Sequence, residues 1–281
     1  MPKRKIIYSL LGLFFLVALI FALIIFQNQQ KVDVYFLDVG QGDAILISQG
    51  GNQILIDGGP SGQILLEKLG RYIPFWDRKI EVVIETHPDQ DHIAGLASVL
   101  ENYQVGSFIE SKAQSDSQIA TRVKELIQEK KINNFKAQIG TDLKFSEANL
   151  KIVLADEGTK DDTNLGTVVM KLNFGKNTFL FTGDLPRGKE MELVNSSEIK
   201  AKVLKVAHHG SKNSTIQEFL EAVKPQTAVI SVGKNNRYGH PAPEILERIK
   251  MEGINILRTD EVGDIQFECT QKEENCQIIA K

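Results

Sequence analysis

Thr86-His87-Pro88-Asp89-Gln90-Asp91-His92 puts four side chains able to bind a metal within six residues. The apolar run Val82-Val83-Ile84-Glu85-Thr86 leads straight into it, so these imidazoles and carboxylates are expected on a turn at a sheet edge. Several of them can converge there on one or two divalent ions. A solvated acidic loop with two exposed histidines is the plain alternative. The chain has five histidines, and the other three also stand at expected strand ends, in His208-His209-Gly210-Ser211 and Tyr238-Gly239-His240-Pro241. Gly183-Asp184 closes the strand-like Phe179-Leu180-Phe181-Thr182 and adds a carboxylate suited to bridging two cations, although Gly-Asp is also ordinary turn chemistry.

Working outward, 32–39, 43–47 and 53–57 read as a strand meander, with Gly40-Gln41-Gly42 and Gly58-Gly59-Pro60 as punctuation. Helical spacing is expected over 64–72 and 118–131. In the second half, strands at 167–172 and 178–182 form a hairpin across Gly175-Lys176-Asn177. A polar helix, a strand at 202–207, a helix at 215–223, a strand at 227–232 and a helix at 243–252 follow. No linker composition interrupts 31–281, which reads as one domain. Strands alternating with helices in two halves predict an α/β fold of two sheets packed face to face, with helices outside.

The 281 residues are 42% apolar, and two cysteines are too few for a disulfide framework. Net charge is −3. Without Lys3, Arg4 and Lys5 the remainder carries 30 basic against 36 acidic residues, which excludes a protein that coats duplex DNA by general charge. Residues 6–26 carry no charge and would span roughly 30 Å as a helix. With the three basic residues in front and only Lys31 close behind, residues 1–30 read as an uncleaved signal anchor: a single pass through the cell membrane, N-terminus cytoplasmic, domain extracytoplasmic. A long signal peptide and an inverted anchor are the alternatives. Cys269 and Cys276 flank Lys272-Glu273-Glu274-Asn275 and either pair across a hairpin in an oxidising compartment or remain two thiols.

The histidine and aspartate motifs, in this order, resemble the metallo-β-lactamase fold superfamily, and within it the extracytoplasmic hydrolase domain of ComEC-type competence proteins. Residues 36–44, 55–60, 86–96, 164–172, 179–185, 204–211 and 230–240 carry the resemblance, which covers roughly 32–267. It implies an αββα sandwich and a metal-dependent hydrolase, with zinc or manganese or magnesium as cofactor. For ComEC-type members it implies a nuclease acting on incoming, single-stranded DNA beside an uptake channel. Carried over by position, His87 and Asp89 hold a first ion, Asp91 and His92 a second, Asp184 bridges, and His208 completes the second site. Asp91 doubles as a catalytic residue.

Asp89 stands where the superfamily usually has His, and this harder ligand favours manganese or magnesium beside zinc. The histidine expected before the bridging Asp is missing, and Asn164 occupies that neighbourhood. His240 either supplies the missing imidazole or donates a proton. Asp43 and Asp57 read as carboxylates orienting the imidazoles, or as ordinary turn residues. Lys205, Lys212, Lys234 and Arg237 are candidate phosphate contacts, as are Ser211 and Asn213, whose alternative is capping the helix expected from Thr215. Two other functions stay open: a surface phosphodiesterase acting on teichoic-acid or phosphocholine-like groups, and a binding module with an incomplete metal site.

Overall fold

The computed structural model describes residues 7–8, 10–20 and 30–280. Strands β1 (Lys31–Phe36), β2 (Ile45–Gln49), β3 (Asn52–Ile56), β4 (Lys79–Ile84), β5 (Gln104–Glu110) and β6 (Asn133–Lys136) open a first sheet. A second sheet is built from β7 (Asp142–Phe145), β8 (Ala148–Leu154), β9 (Val169–Phe174), β10 (Asn177–Phe181), β11 (Val203–Lys205), β12 (Thr227–Ile230) and β13 (Asn255–Arg258). The chain then returns through β14 (Ile265–Thr270) and β15 (Gln277–Ala280), giving an eight-stranded sheet ordered β15-β14-β1-β2-β3-β4-β5-β6 against a seven-stranded one ordered β13 to β7.

Each sheet is antiparallel where hairpins connect it and parallel where helices do. β3, β4, β5 and β6 are parallel, joined through α1 (Gly62–Tyr72), α2 (Gln90–Asn102) and α3 (Gln118–Glu129). β10 to β13 are parallel, with α4 (Arg187–Leu193), α5 (Gln217–Val223) and α6 (Pro243–Met251) between them; α7 (Thr259–Val262) leads to β14. Parallel strands need such crossovers, and the helices cover the outer faces.

Side-chain alternation then makes three apolar layers. Phe36, Ile47 and Ile84 of one sheet meet Leu150, Met170, Phe179 and Phe181 of the other, with Phe179 edge-on to Phe267 at 5.4 Å. Leu46, Leu55 and Val83 point the opposite way, into α1, α2 and α3. Leu180, Leu204 and Ala228 do the same toward the second helical layer. The expected αββα arrangement is therefore the observed one.

Three readings change. Asp91 and His92 lie on the first turn of α2, not on a loop, because Asp89 is its N-cap and Ile93, Leu96, Val99 and Leu100 form its buried face. The motif follows β4, an interior strand rather than a lateral edge. The transmembrane helix over 6–26 is not supported: residues 10–20 are helical with exposed apolar side chains, and among the described residues no helix is long and apolar enough to cross a membrane. Lys3, Arg4 and Lys5, and both ends of that segment, lie outside the described residues. The cysteine alternative closes in favour of pairing, with Cys269 and Cys276 disulfide-bonded across β14 and β15.

Candidate metal centre

Strand polarity gathers the chemistry at one end of the sandwich. β4 runs into Thr86 and His87, α2 presents Asp91 and His92, β10 ends at Thr182-Gly183-Asp184, and β11 runs into His208 and His209. The turn between β1 and β2 brings Asp43 alongside, with its N–H donating to the Asp91 carbonyl at 3.3 Å. Gly42 has φ +133, and a Cβ there would sit 2.0 Å from the Asp91 carbonyl oxygen, so only glycine lets these two segments meet. His208 and His209 adopt left-handed backbone with φ of 50° and 54°. Such conformations cost on the order of 1–3 kcal/mol each and persist where surrounding structure holds them; here the His208 N–H donates to the Gly183 carbonyl at 3.1 Å.

Asp184 is the hub. Its carboxylate oxygens lie 3.3 Å from His92 Nε2, 3.5 Å from His209 Nε2, 3.7 Å from His208 Nε2 and 4.0 Å from His87 Nε2. Asp91 Oδ2 is 3.5 Å from His209 Nε2. The Nε2 atoms of His87, His92 and His209, together with Asp184 Oδ1, are buried without a hydrogen-bond partner. Buried polar atoms are almost always paired, and four orphans gathered around Asp184, three imidazole nitrogens and a carboxylate oxygen, offer donors that fit divalent cations. Two of the possible ligand triads share this centre: His87, His92 and Asp184, and Asp91, His92 and His209.

Behind the ligands, His92 Nδ1 sits 2.8 Å from Asp57 Oδ2, and Asp57 is clamped in turn by the Thr86 N–H at 2.8 Å and the Thr86 hydroxyl at 2.6 Å. His209 Nδ1 donates to the Ser231 carbonyl at 2.8 Å. Both contacts fix a ring so that Nε2 faces the centre.

Electrostatics follow from burial among opposed charges. Burial, with the neighbouring His92, drives the His87 pKa well below its ordinary value, leaving the neutral ring a metal requires. For His92 burial acts the same way, but Asp184 and Asp57 outweigh it and the pKa is raised. His209 is raised in like manner by Asp184 and Asp43 against its burial. Burial would raise Asp91, yet the facing His209 and the nearby His92 bring it down to about 2. Asp184 is likewise held well below the usual carboxylate range by His209 and His92 against its burial. A cation bound here would displace protons from these imidazoles, so binding is favoured as pH rises.

The structure brings His87, Asp91, His92 and Asp184 together, with Asp43 and Asp57 behind them. His209, absent from the expected ligand set, joins them. His208, its side chain 32% exposed, lines the cleft and belongs to no ligand triad, and the same holds for Asp89 and His240. Asp89 is 3.7 Å from His87 Nε2 and accepts the Thr163 hydroxyl at 2.5 Å. Asn164 follows on the same short turn, its Oδ1 buried and unpaired. Gln41 and Tyr238 complete the lining of the cleft, which holds about 140 Å³.

Among the basic candidates, Lys212, Lys234 and Arg237 are exposed, and Arg237 packs on the Tyr238 ring at 5.3 Å. Lys205 is a correction: it is fully buried, ion-paired with Asp43, and donates to the Gly183 carbonyl at 2.8 Å, so no substrate phosphate reaches it. Ser211 is buried, its hydroxyl accepting from the Asn213 N–H at 3.4 Å, and Asn213 is exposed. Neither caps α5. Glu190 accepts from the N–H groups of Thr215 and Ile216 at 2.5 and 2.9 Å and so fixes the backbone that enters α5.

Comparisons with known proteins agree with this architecture. The chain is 32% identical over 259 residues to ComE operon protein 3 of Bacillus subtilis (strain 168), covering 86% of this chain and 33% of that protein. It is 26% identical over 247 residues to Competence protein ComA of Neisseria gonorrhoeae, covering 86% and 32%. The chain thus spans about a third of the length of the curated relatives it matches. Among solved structures, the metallo-beta-lactamase fold protein YhfI from Bacillus subtilis superposes with a TM-score of 0.58 at 13% identity, over 85% of this chain and 100% of that one. The sequence pattern of the metallo-beta-lactamase superfamily matches residues 37–234, and with the sandwich and the clustered ligands at its open end, the chain belongs to that superfamily.

Proposed function

We propose that the protein is a membrane-anchored, metal-dependent phosphodiesterase, a nuclease of the ComEC type that cuts DNA strands during uptake. The observation that carries this reading is the set of orphaned donors on His87, His92, His209 and Asp184, of which Asp184 and His209 line an open cleft. Bound there, one or two divalent ions would polarise a phosphoryl oxygen and lower the pKa of an attacking water. The mixed nitrogen and oxygen donors suit zinc or manganese, and Asp89 at the rim adds a hard oxygen that favours manganese or magnesium.

The residues around the ions divide the remaining work. Asp91, ionised and exposed on one side, is positioned to orient the attacking water and take its proton. Gln41, Asp91 and Tyr238 line both the cleft and a neighbouring groove that also includes Gln90 and Arg237, a path for a nucleotide strand with Arg237 and Lys212 binding phosphate oxygens. His240 stands on the cleft wall with its ring 5.9 Å from that of His208 and is proposed to hand a proton to the leaving oxygen. Burial and the neighbouring His208 and His209 lower its pKa, so an incoming phosphodiester anion would be what keeps it protonated.

Similarity to a protein named for competence supports DNA as substrate. The uncharged segment 6–26 behind three basic residues supports an anchor, with the N-terminus cytoplasmic and the domain outside. The Cys269–Cys276 disulfide supports an oxidising, extracytoplasmic location.

The test is cleavage by the purified full chain, with zinc, manganese or magnesium, of single-stranded DNA against phosphocholine and glycerol-phosphate diesters. Preference for DNA supports the reading. Preference for the small diesters replaces it with a cell-surface phosphodiesterase, and metal-independent DNA binding without cleavage replaces it with a binding module.

A further inference from the structure

Phe75 and Trp76 are 80% and 74% exposed, stacked edge-on with centroids 4.9 Å apart, in the loop that enters β4. We propose that this aromatic pair inserts into the head-group region of the lipid bilayer that anchors the chain, standing the domain upright with its metal cleft facing away from the membrane. The inference rests on the anchoring proposed above.

Chain geometry carries it. The uncharged segment ends at Phe26, and Lys31 begins β1. The residues between span at most roughly 15–18 Å, so the edge of the domain holding Lys31 stays beside the membrane. Trp76 lines the same cleft as Lys31, a space of about 430 Å³ bounded also by the Gly50–Gly51 turn. The aromatic pair thus stands on the rim that the tether brings to the bilayer. Arg78 and Lys79, both exposed, follow it after the single acidic residue Asp77, and an amphipathic ring beside basic side chains is the composition that sits at a membrane–water interface. Tethering makes insertion intramolecular, so two aromatics are enough to set orientation.

The same strands fix which way the cleft looks. β1 and β4 both start at this rim and end at the metal centre, β4 running directly into His87. Six residues at about 3.3 Å each put the centre roughly 20 Å further from the bilayer. That separation also argues against the pair serving as a base-stacking platform for a strand in the cleft.

Trp76 is the only tryptophan in the chain, so its fluorescence reports on this site alone. Full-length protein is reconstituted in phosphatidylcholine and phosphatidylglycerol vesicles, with and without brominated acyl chains, and its flotation with the vesicles is recorded in parallel. Floating protein whose emission falls with brominated lipid, as expected of an interfacial indole, and recovers in Phe75→Ser, supports the proposal. Protein that floats while Trp76 ignores brominated lipid and remains open to aqueous acrylamide overturns it and leaves the anchor standing. Failure to float removes the anchor, and the proposal with it. Quenching by oligothymidylate in place of brominated lipid overturns it in favour of a nucleic acid surface.

Discussion

Asp57 reaches no solvent, yet it decides how His92 faces the centre. Its carboxylate holds Nδ1 while Thr86 holds the carboxylate, so Asp57→Asn should weaken metal binding by about 10–100-fold with the fold retained. Titration with a competing chelator measures this, and affinity equal to wild type would remove Asp57 from that role. The two adjacent histidines separate in the same assay. His209→Ala should lose metal affinity at least as strongly, since its Nε2 is one of the orphaned donors, whereas His208→Ala should change it by no more than about threefold, in keeping with a half-exposed rim position. His240→Ala should keep its metal and lose roughly 10²–10⁴-fold in turnover. The neighbourhood of each ligand was legible from strand-end motifs, but the choice between His208 and His209 was not. Two consecutive left-handed residues swing the rings by amounts that no strand or helix period encodes, and burial of His209 depends on Ser231, twenty-two residues away.

Elements, rather than single ligands, set the approach of the loops. Gly42→Ala would drive a Cβ into the Asp91 carbonyl, so it should displace the start of α2 and destabilise the fold by roughly 1–3 kcal/mol, with metal affinity falling in parallel. Thermal unfolding and chelator titration check both, and an unchanged variant would contradict the packing described. Glu85, at the end of β4, is buried; burial, with Glu110 and Asp57 nearby, pushes its pKa up to about 8. Between about pH 5 and pH 8 the unfolded chain ionises this group while the folded chain keeps it protonated. The folded state therefore binds more protons, and stability falls as pH rises through that window. Glu190, raised to about 7 by burial, acts with the same sign. Glu85→Gln should flatten the profile, gaining on the order of a few kcal/mol relative to wild type at pH 8; parallel profiles would refute the shift. At this scale the sequence showed the meander, the hairpin and most helices to within a few residues. It did not show α2, because its first turn is written in Gln90, Asp91 and His92 rather than in the apolar period that begins only at Ile93.

Across the whole molecule, the sandwich follows from two sheets that are apolar on both faces, one face for each other and one for helices. Alternation of strands and helices in two halves was enough to anticipate it, whereas strand order, with β14 and β15 returning beside β1, depends on pairings between the chain's two ends that local patterns cannot reveal. The architecture leaves the strand ends that carry His87, Asp184 and His209 together and open, and in the proposed function this opening holds a metal used to cut DNA. The most direct measurement pairs bound metal with single-stranded DNA cleavage for the full chain and for Asp184→Asn. The wild type should carry about one or two equivalents of divalent ion, lose cleavage on chelation and regain it on metal return, while folded Asp184→Asn loses metal and cleavage together. Cleavage that survives chelation, or Asp184→Asn that keeps both metal and activity, would contradict the account.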